Sequence, residues 1–136
     1  MHTIDVEAAL KSPEYKKYIS AAAELEKIDI LNLSTEQKVA VFLNVYQSMY
    51  VHFFLKKVFE EGKAEEGEQN QKSGLIGSLS SYFAYSPKPF FYNVGGFNFN
   101  LEEIKHGLLR NNLKSPNNYM ASLKSTDNRL EILRGY

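Results

Sequence analysis

The sequence predicts an α+β fold that is mainly α-helical, with a central buried helix over about 35–60 and one β-hairpin over about 90–99 followed by a capped helix over 101–110. Three observations carry this. A long apolar run, VAVFLNVYQSMYVHFFL from Val39 to Leu55, opens just behind a helix-capping pair. Two short runs rich in β-formers, Phe90 to Val94 and Phe97 to Phe99, flank Gly95-Gly96, a pair able to supply the positive φ that a tight hairpin turn demands. The second run leads directly into Asn100-Leu101-Glu102-Glu103-Ile104, which has the pattern of a helix start.

From the N-terminus, Thr3 is placed to cap a short helix through Leu10. Ser12-Pro13 then reads as a cap followed by proline in the first helical position, opening a helix to about Lys27. Its buried stripe is expected at Tyr15, Tyr18, Ile19, Ala22 and Leu25. After a connector from Ile28 to Leu33, Ser34 and Gln37 form a capping box that opens the longest element, Thr35 to about Glu60. Its middle is apolar on most sides, which predicts enclosure by other elements. A membrane span is rejected, because it would carry Asn44, Gln47, Ser48 and His52 and meet Lys56-Lys57 too early.

Glu60 to Gly74 contains no apolar residue larger than alanine and cannot bury surface, so residues 61–74 are expected to form a flexible acidic and polar loop. Leu75, Ile76, Leu79, Tyr82 and Phe83 recur at helical spacing, giving a short amphipathic helix ended by Pro87 and Pro89. In the hairpin, a two-residue loop sets Val94 opposite Phe97 and Tyr92 opposite Phe99 on one face, with Asn93 and Asn98 meeting on the other. Asn100 is the expected N-cap, Glu103 reaches back to it, and Phe99 staples onto Ile104. This helix should bury Leu101, Ile104, Leu108 and Leu109. Beyond Asn111 the pattern weakens: Pro116-Asn117-Asn118 is turn-like, and Tyr119 to Leu123 reads as one helical turn.

Composition narrows the function classes. A chain of 136 residues, 43% hydrophobic and 13% aromatic, has the material for one core, so residues 1–136 are read as a single domain. Lys+Arg and Asp+Glu both number 16, which gives no basic footprint for nucleic acid. With no cysteine, the chain holds no disulfide, thiolate nucleophile or cysteine-ligated metal. Three widely spaced histidines make poor metal ligands, and nothing calls for a cofactor. The N-terminus shows no secretory signal, which favours an intracellular, cytoplasmic setting.

The candidate polar cluster begins with Asn44, Ser48 and His52, which stand at i, i+4 and i+8 on the central helix. His106, one turn into the capped helix, could reach the same cluster together with Arg110 and act as an acid, a base or an anion contact. Buried polar groups need partners, so the leading expectation is a satisfied hydrogen-bond network that fixes how the hairpin or capped helix docks, with a ligand site as the second. Ser48 and His52 as nucleophile and base lack an acid and an oxyanion feature. Gly95-Gly96 is a hairpin turn rather than a phosphate loop, since no helix N-terminus follows within it.

Two motifs resemble the family called domain of unknown function 547, over about Leu25 to Arg129. The stretch Val39 to Met49 with His52 is similar to the family's LAFWINLYNALxxH, with Phe42 at the tryptophan and Gln47 at the second asparagine. The family's YxIGGxxFSLxDIEHGILR is matched at Tyr92, Gly95, Gly96, Phe99, Leu101, Glu103, Ile104, His106, Gly107, Leu109 and Arg110, with Lys105 in place of a glutamate. Family domains continue into a cysteine-bearing segment resembling DPRIHFALNCGAxSCPP, which Asp127-Asn128-Arg129 would introduce. The resemblance therefore implies an N-terminal portion of a larger domain. Two functions follow as expectations: a non-catalytic interaction or scaffolding module with an unidentified protein partner, or part of a thiol-dependent hydrolase or transferase. In the second, the family's cysteine would come from that further segment, and Asn44, His52 and His106 would build the other side of the pocket.

Overall fold

A computed structural model describes residues 5–68, 89–116 and 120–134, with the backbone alone for 63–68. Helix α1 (Val6–Lys11) is capped by Asp5, whose carboxylate accepts from the Ala8 N–H, rather than by Thr3, which lies outside the described residues. Helix α2 (Pro13–Ala23) starts as its sequence predicts: the Ser12 hydroxyl accepts from the Tyr15 N–H and Pro13 takes the first helical position. A 3-10 turn, Glu24–Lys27, carries it on to the expected end. Tyr15, Tyr18, Ala22 and Leu25 are half-buried, but Ile19 at the stripe's edge is exposed.

Helix α3 (Thr35–Glu68) opens on the reciprocal box, with the Gln37 amide oxygen accepting from Ser34 N–H and the Ser34 hydroxyl accepting from Gln37 N–H. It runs past the expected boundary near Glu60, because the glutamates, lysine and alanine that follow are good helix formers. Residues 69–74 of the expected loop, and the helix expected at 75–83, lie outside the described residues. The expectation of a fully enclosed helix is corrected. Phe42, Val45, Met49 and His52 turn into the core, whereas Leu43, Tyr50, Val51 and Phe54 are 47, 53, 56 and 48% exposed. A run that is apolar on most sides gives little phase in sequence, and the packing of the hairpin against one face supplies it.

Strands β1 (Tyr92–Val94) and β2 (Phe97–Phe99) pair antiparallel with Tyr92 opposite Phe99, Asn93 opposite Asn98 and Val94 opposite Phe97, the register that a two-residue turn requires. Gly95 and Gly96 have φ of 63° and 91°. The hairpin tip is itself docked: Gly95 N–H donates to the Leu25 carbonyl at 2.9 Å, and a Cβ on Gly95 would stand 2.7 Å from Ile30 Cγ2. Thus the glycine answers both to the turn and to the close approach of the 3-10 segment Ile30–Asn32.

Asn100 and Glu103 form the second capping box, each side chain accepting from the other's backbone N–H at 2.8 and 3.0 Å. The helix that follows departs from the expected α-helix, widening into a π-helix, α4 (Glu103–Leu109). It buries Ile104, His106 and Leu108, with Leu101 buried just ahead of it and Leu109 half-buried. Leu123 packs onto Gly107, where a Cβ would meet its Cδ1 at 2.7 Å. Residues 120–123 form bends rather than the expected helical turn; Leu123 is held instead by Asn112, whose amide accepts from its N–H and donates to its carbonyl. A short 3-10 helix, Asn128–Ile132, closes the described chain. The core joins α3, the hairpin, α4 and this last turn, with Phe42 and Phe99 edge to face at 5.3 Å.

Both turn glycines carry the cost of a left-handed conformation, but only Gly95 also faces Ile30. Gly96→Ala should cost about 1 kcal/mol from backbone strain, and Gly95→Ala roughly 1–3 kcal/mol more from overpacking. Urea midpoints check the ranking; equal losses would mean that the tip does not bear on Ile30.

Candidate functional site

The polar residues singled out in sequence separate into distinct groups. His52 is the only member of the Asn44, Ser48 and His52 series that is buried; Asn44 and Ser48 face outward. The correction has a geometric cause. A helix turns about 100° per residue, so each i to i+4 step drifts by about 40°. Two steps carry the series from the solvent side to the core.

His52 sits among three tyrosines from two other elements. Its Nε2 is 2.9 Å from the Tyr15 hydroxyl, its Nδ1 is 2.5 Å from the Tyr92 hydroxyl, and Tyr92 lies 2.6 Å from the Tyr18 hydroxyl. A neutral imidazole offers one donor and one acceptor, so the chain of bonds can run in either direction, and choosing the tautomer chooses that direction. The rings of Tyr15, Tyr18, Phe90 and Tyr92 all stand roughly edge-on to the imidazole, closing it off from water. Burial, helped by the Lys56 cation, pushes the His52 pKa down to about 4. Burial and the bond to Tyr18 likewise hold the Tyr92 hydroxyl well above its ordinary pKa. This is a neutral, fully bonded cluster joining α2, α3 and β1.

His106 and Arg110 form a separate pair, with the guanidinium donating to His106 Nδ1 at 2.6 Å. Burial, then the Arg110 and Lys105 cations, lower the His106 pKa. The ring is therefore neutral, with its remaining proton on Nε2. The expectation that His106 and Arg110 would complete the His52 cluster is not met, since each histidine is bonded within its own group.

A third group brings the Asp127-Asn128-Arg129 triplet to a residue distant in sequence. Arg129 donates to both Asp127 carboxylate oxygens, pairs with Glu103 at 2.6 Å, donates to the Asn98 carbonyl and lies 5.4 Å over the Phe99 ring. Its bonds to Asp127 hold the guanidinium above, and the carboxylate below, their ordinary pKa values. Glu103 thus caps Asn100 with one oxygen and anchors the distant C-terminal segment with the other. The acid-x-Arg triplet was visible in sequence, but its partner at Glu103 was not.

Among the described residues, two openings stand apart from the His52 cluster. A pocket of about 120 Å³ is lined by Gly107, Leu108, Asn111, Asn112, Leu130, Leu133 and Arg134, and a shallower one lies between the hairpin tip and 126–129. Neither contains His52, and no group of three histidine, aspartate or glutamate side chains among the described residues is placed to hold a metal. No helix among the described residues is long and apolar enough to cross a membrane.

A capped π-helix, a tightly docked GG hairpin and a core helix with an inward histidine define one helical α+β class of domain. Residues 30–134 match the family of proteins of unknown function DUF547, and the chain belongs to that family. No curated protein and no solved structure matches it.

The His52 cluster makes a pH prediction. Its folded pKa lies below the unfolded value near 6.5, so the stabilisation from keeping it neutral is complete above pH 6.5 and is lost as pH falls through about 4. Between pH 7 and pH 4 the protein should lose about 3 kcal/mol more in urea unfolding than His52→Gln does. A ring titration by NMR with a midpoint near 6.5 would contradict the buried neutral cluster.

Proposed function

We propose that this chain serves as a non-catalytic protein-interaction module whose docking surface is the outward face of α3. One observation carries the reading: Leu43, Tyr50, Val51 and Phe54 lie side by side in solvent on the helix whose opposite face forms the core. Apolar side chains grouped in this way on a folded surface mark interaction sites far more often than chance exposure of single residues does. Tyrosine and phenylalanine are also the side chains that supply binding energy at interface centres.

A catalytic role for the histidines has less support. The nitrogens of His52 are taken by Tyr15 and Tyr92, and Nδ1 of His106 is taken by Arg110. Ser48 is exposed, and the bonds of the His52 ring go to Tyr15 and Tyr92. A base must be within reach of the proton it removes, and neither ring is free to turn toward one without breaking bonds that its burial demands.

The test is site-specific photo-cross-linking in living cells, with a benzoylphenylalanine in place of Tyr50 and, as control, in place of Ser20 on the outer side of α2. The expected result is a discrete adduct from position 50, identified by mass spectrometry, that disappears when Leu43→Glu is added. Equal labelling from both positions would remove the basis for this surface.

A further inference from the structure

Arg110 closes the π-helix as its C-cap, where a cation is favoured by the carbonyls that a helix end leaves unpaired. Its guanidinium nevertheless turns back to His106, and the contact to Nδ1 at 2.6 Å is its one side-chain hydrogen bond among the described residues. It is half-buried, yet no carboxylate among the described residues lies within ion-pairing distance of it. Arg129, also half-buried, gives the contrast: all three of its nitrogens meet a carboxylate or carbonyl oxygen. His106 is 7% exposed and spends its one acceptor on Arg110, which leaves it an Nε2–H that no acceptor among the described residues meets. The pair therefore presents donors only and carries one full positive charge. Lys105 adds to that field, and Glu102, the acid whose charge His106 feels, bonds neither side chain.

We propose that Arg110, held in place by His106, is a binding site for the carboxylate of a small ligand. A cation partly withdrawn from water gains most from an acceptor that is itself ionised, and a planar guanidinium matches a carboxylate with two parallel N–H groups. Nη1 is committed to His106, so the edge formed by Nε and Nη2 is the one that a carboxylate takes. His106 is a positioning residue. Its buried ring accepts from Arg110 and so fixes the plane of the guanidinium, which would otherwise lose orientation in solvent. Charge chooses among oxyanions: one guanidinium beside a neutral imidazole balances a single carboxylate and leaves a phosphate dianion half neutralised. Neither residue lies on α3, so the site goes beyond the interaction-module reading and stands or falls apart from it.

An NMR titration of the full 136-residue chain near neutral pH tests this, with sodium acetate as the probe and sodium chloride at equal ionic strength as the control. The expected result is a saturable shift of the Arg110 Nε–H and of the His106 ring that chloride does not reproduce. The dissociation constant for acetate should rise roughly tenfold or more in Arg110→Lys, which keeps the charge but loses the fork. His106→Gln, whose amide oxygen can accept from Arg110 in the imidazole's place, should retain more of the binding than His106→Leu, with urea midpoints confirming that each variant folds. Shifts that do not saturate, or that chloride reproduces, overturn the proposal, and that reading of the unaltered chain holds even where a variant fails to fold. A constant unchanged in Arg110→Lys overturns it as well. Saturation by inorganic phosphate where acetate has no effect overturns the choice of a carboxylate.

Discussion

The bond between His52 and Tyr92 is the constraint on which the arrangement of the other elements depends. It joins the middle of α3 to the first strand of the hairpin across a gap of forty positions in sequence, and its two ends continue to Tyr15 and Tyr18 on α2. Each of these groups is buried or half-buried, so a missing partner would leave a desolvated donor or acceptor. The cost of separating any one element from the others is therefore not one hydrogen bond but an unsatisfied network. That cost fixes the rotation of α3 about its own axis. Once His52 points inward, Phe42, Val45 and Met49 follow it into the core, and Leu43, Tyr50 and Phe54 are left outside.

The hairpin is held at three places. Tyr92 ties its first strand to the histidine, Gly95 seats its tip on the Leu25 carbonyl and Ile30, and the Asn100–Glu103 box turns its second strand into α4. Glu103 passes the constraint on to Arg129, which grips the Asn98 carbonyl and covers the Phe99 ring. A local capping device thus becomes part of a long-range ion pair. Because both charges are mostly withdrawn from water, losing one partner would leave the other poorly solvated, so this pair matters more than the exposed Lys11–Glu7 and Arg134–Glu131 pairs at the surface.

What sequence made legible was local. Capping boxes at Ser34 and Asn100, the turn at Gly95-Gly96 and the strand register all follow from neighbours within a few residues, and all appear as expected. Phase and distance were harder. The apolar run of α3 does not say which side is buried, and drift along the i, i+4, i+8 series carried Asn44 and Ser48 out of the site that His52 occupies. The widening of α4 and the seating of Leu123 on Gly107 arise from tertiary packing. The helical spacing of Tyr15 and Tyr18 points only to core side chains, and the fold shows their hydroxyls serving the histidine network.

The proposed docking face follows from the same rotation of α3, since the network that draws His52 inward also leaves Leu43, Tyr50 and Phe54 outward. The most direct test of that central claim is a double-mutant cycle between Tyr15→Phe and Tyr92→Phe, read by urea unfolding. The two hydroxyls bond to opposite nitrogens of one imidazole, so removing either changes what the ring must donate or accept at the other. A coupling energy of roughly 0.5–3 kcal/mol is predicted. Strictly additive losses would contradict a single network through His52 and leave the orientation of α3 without its proposed cause.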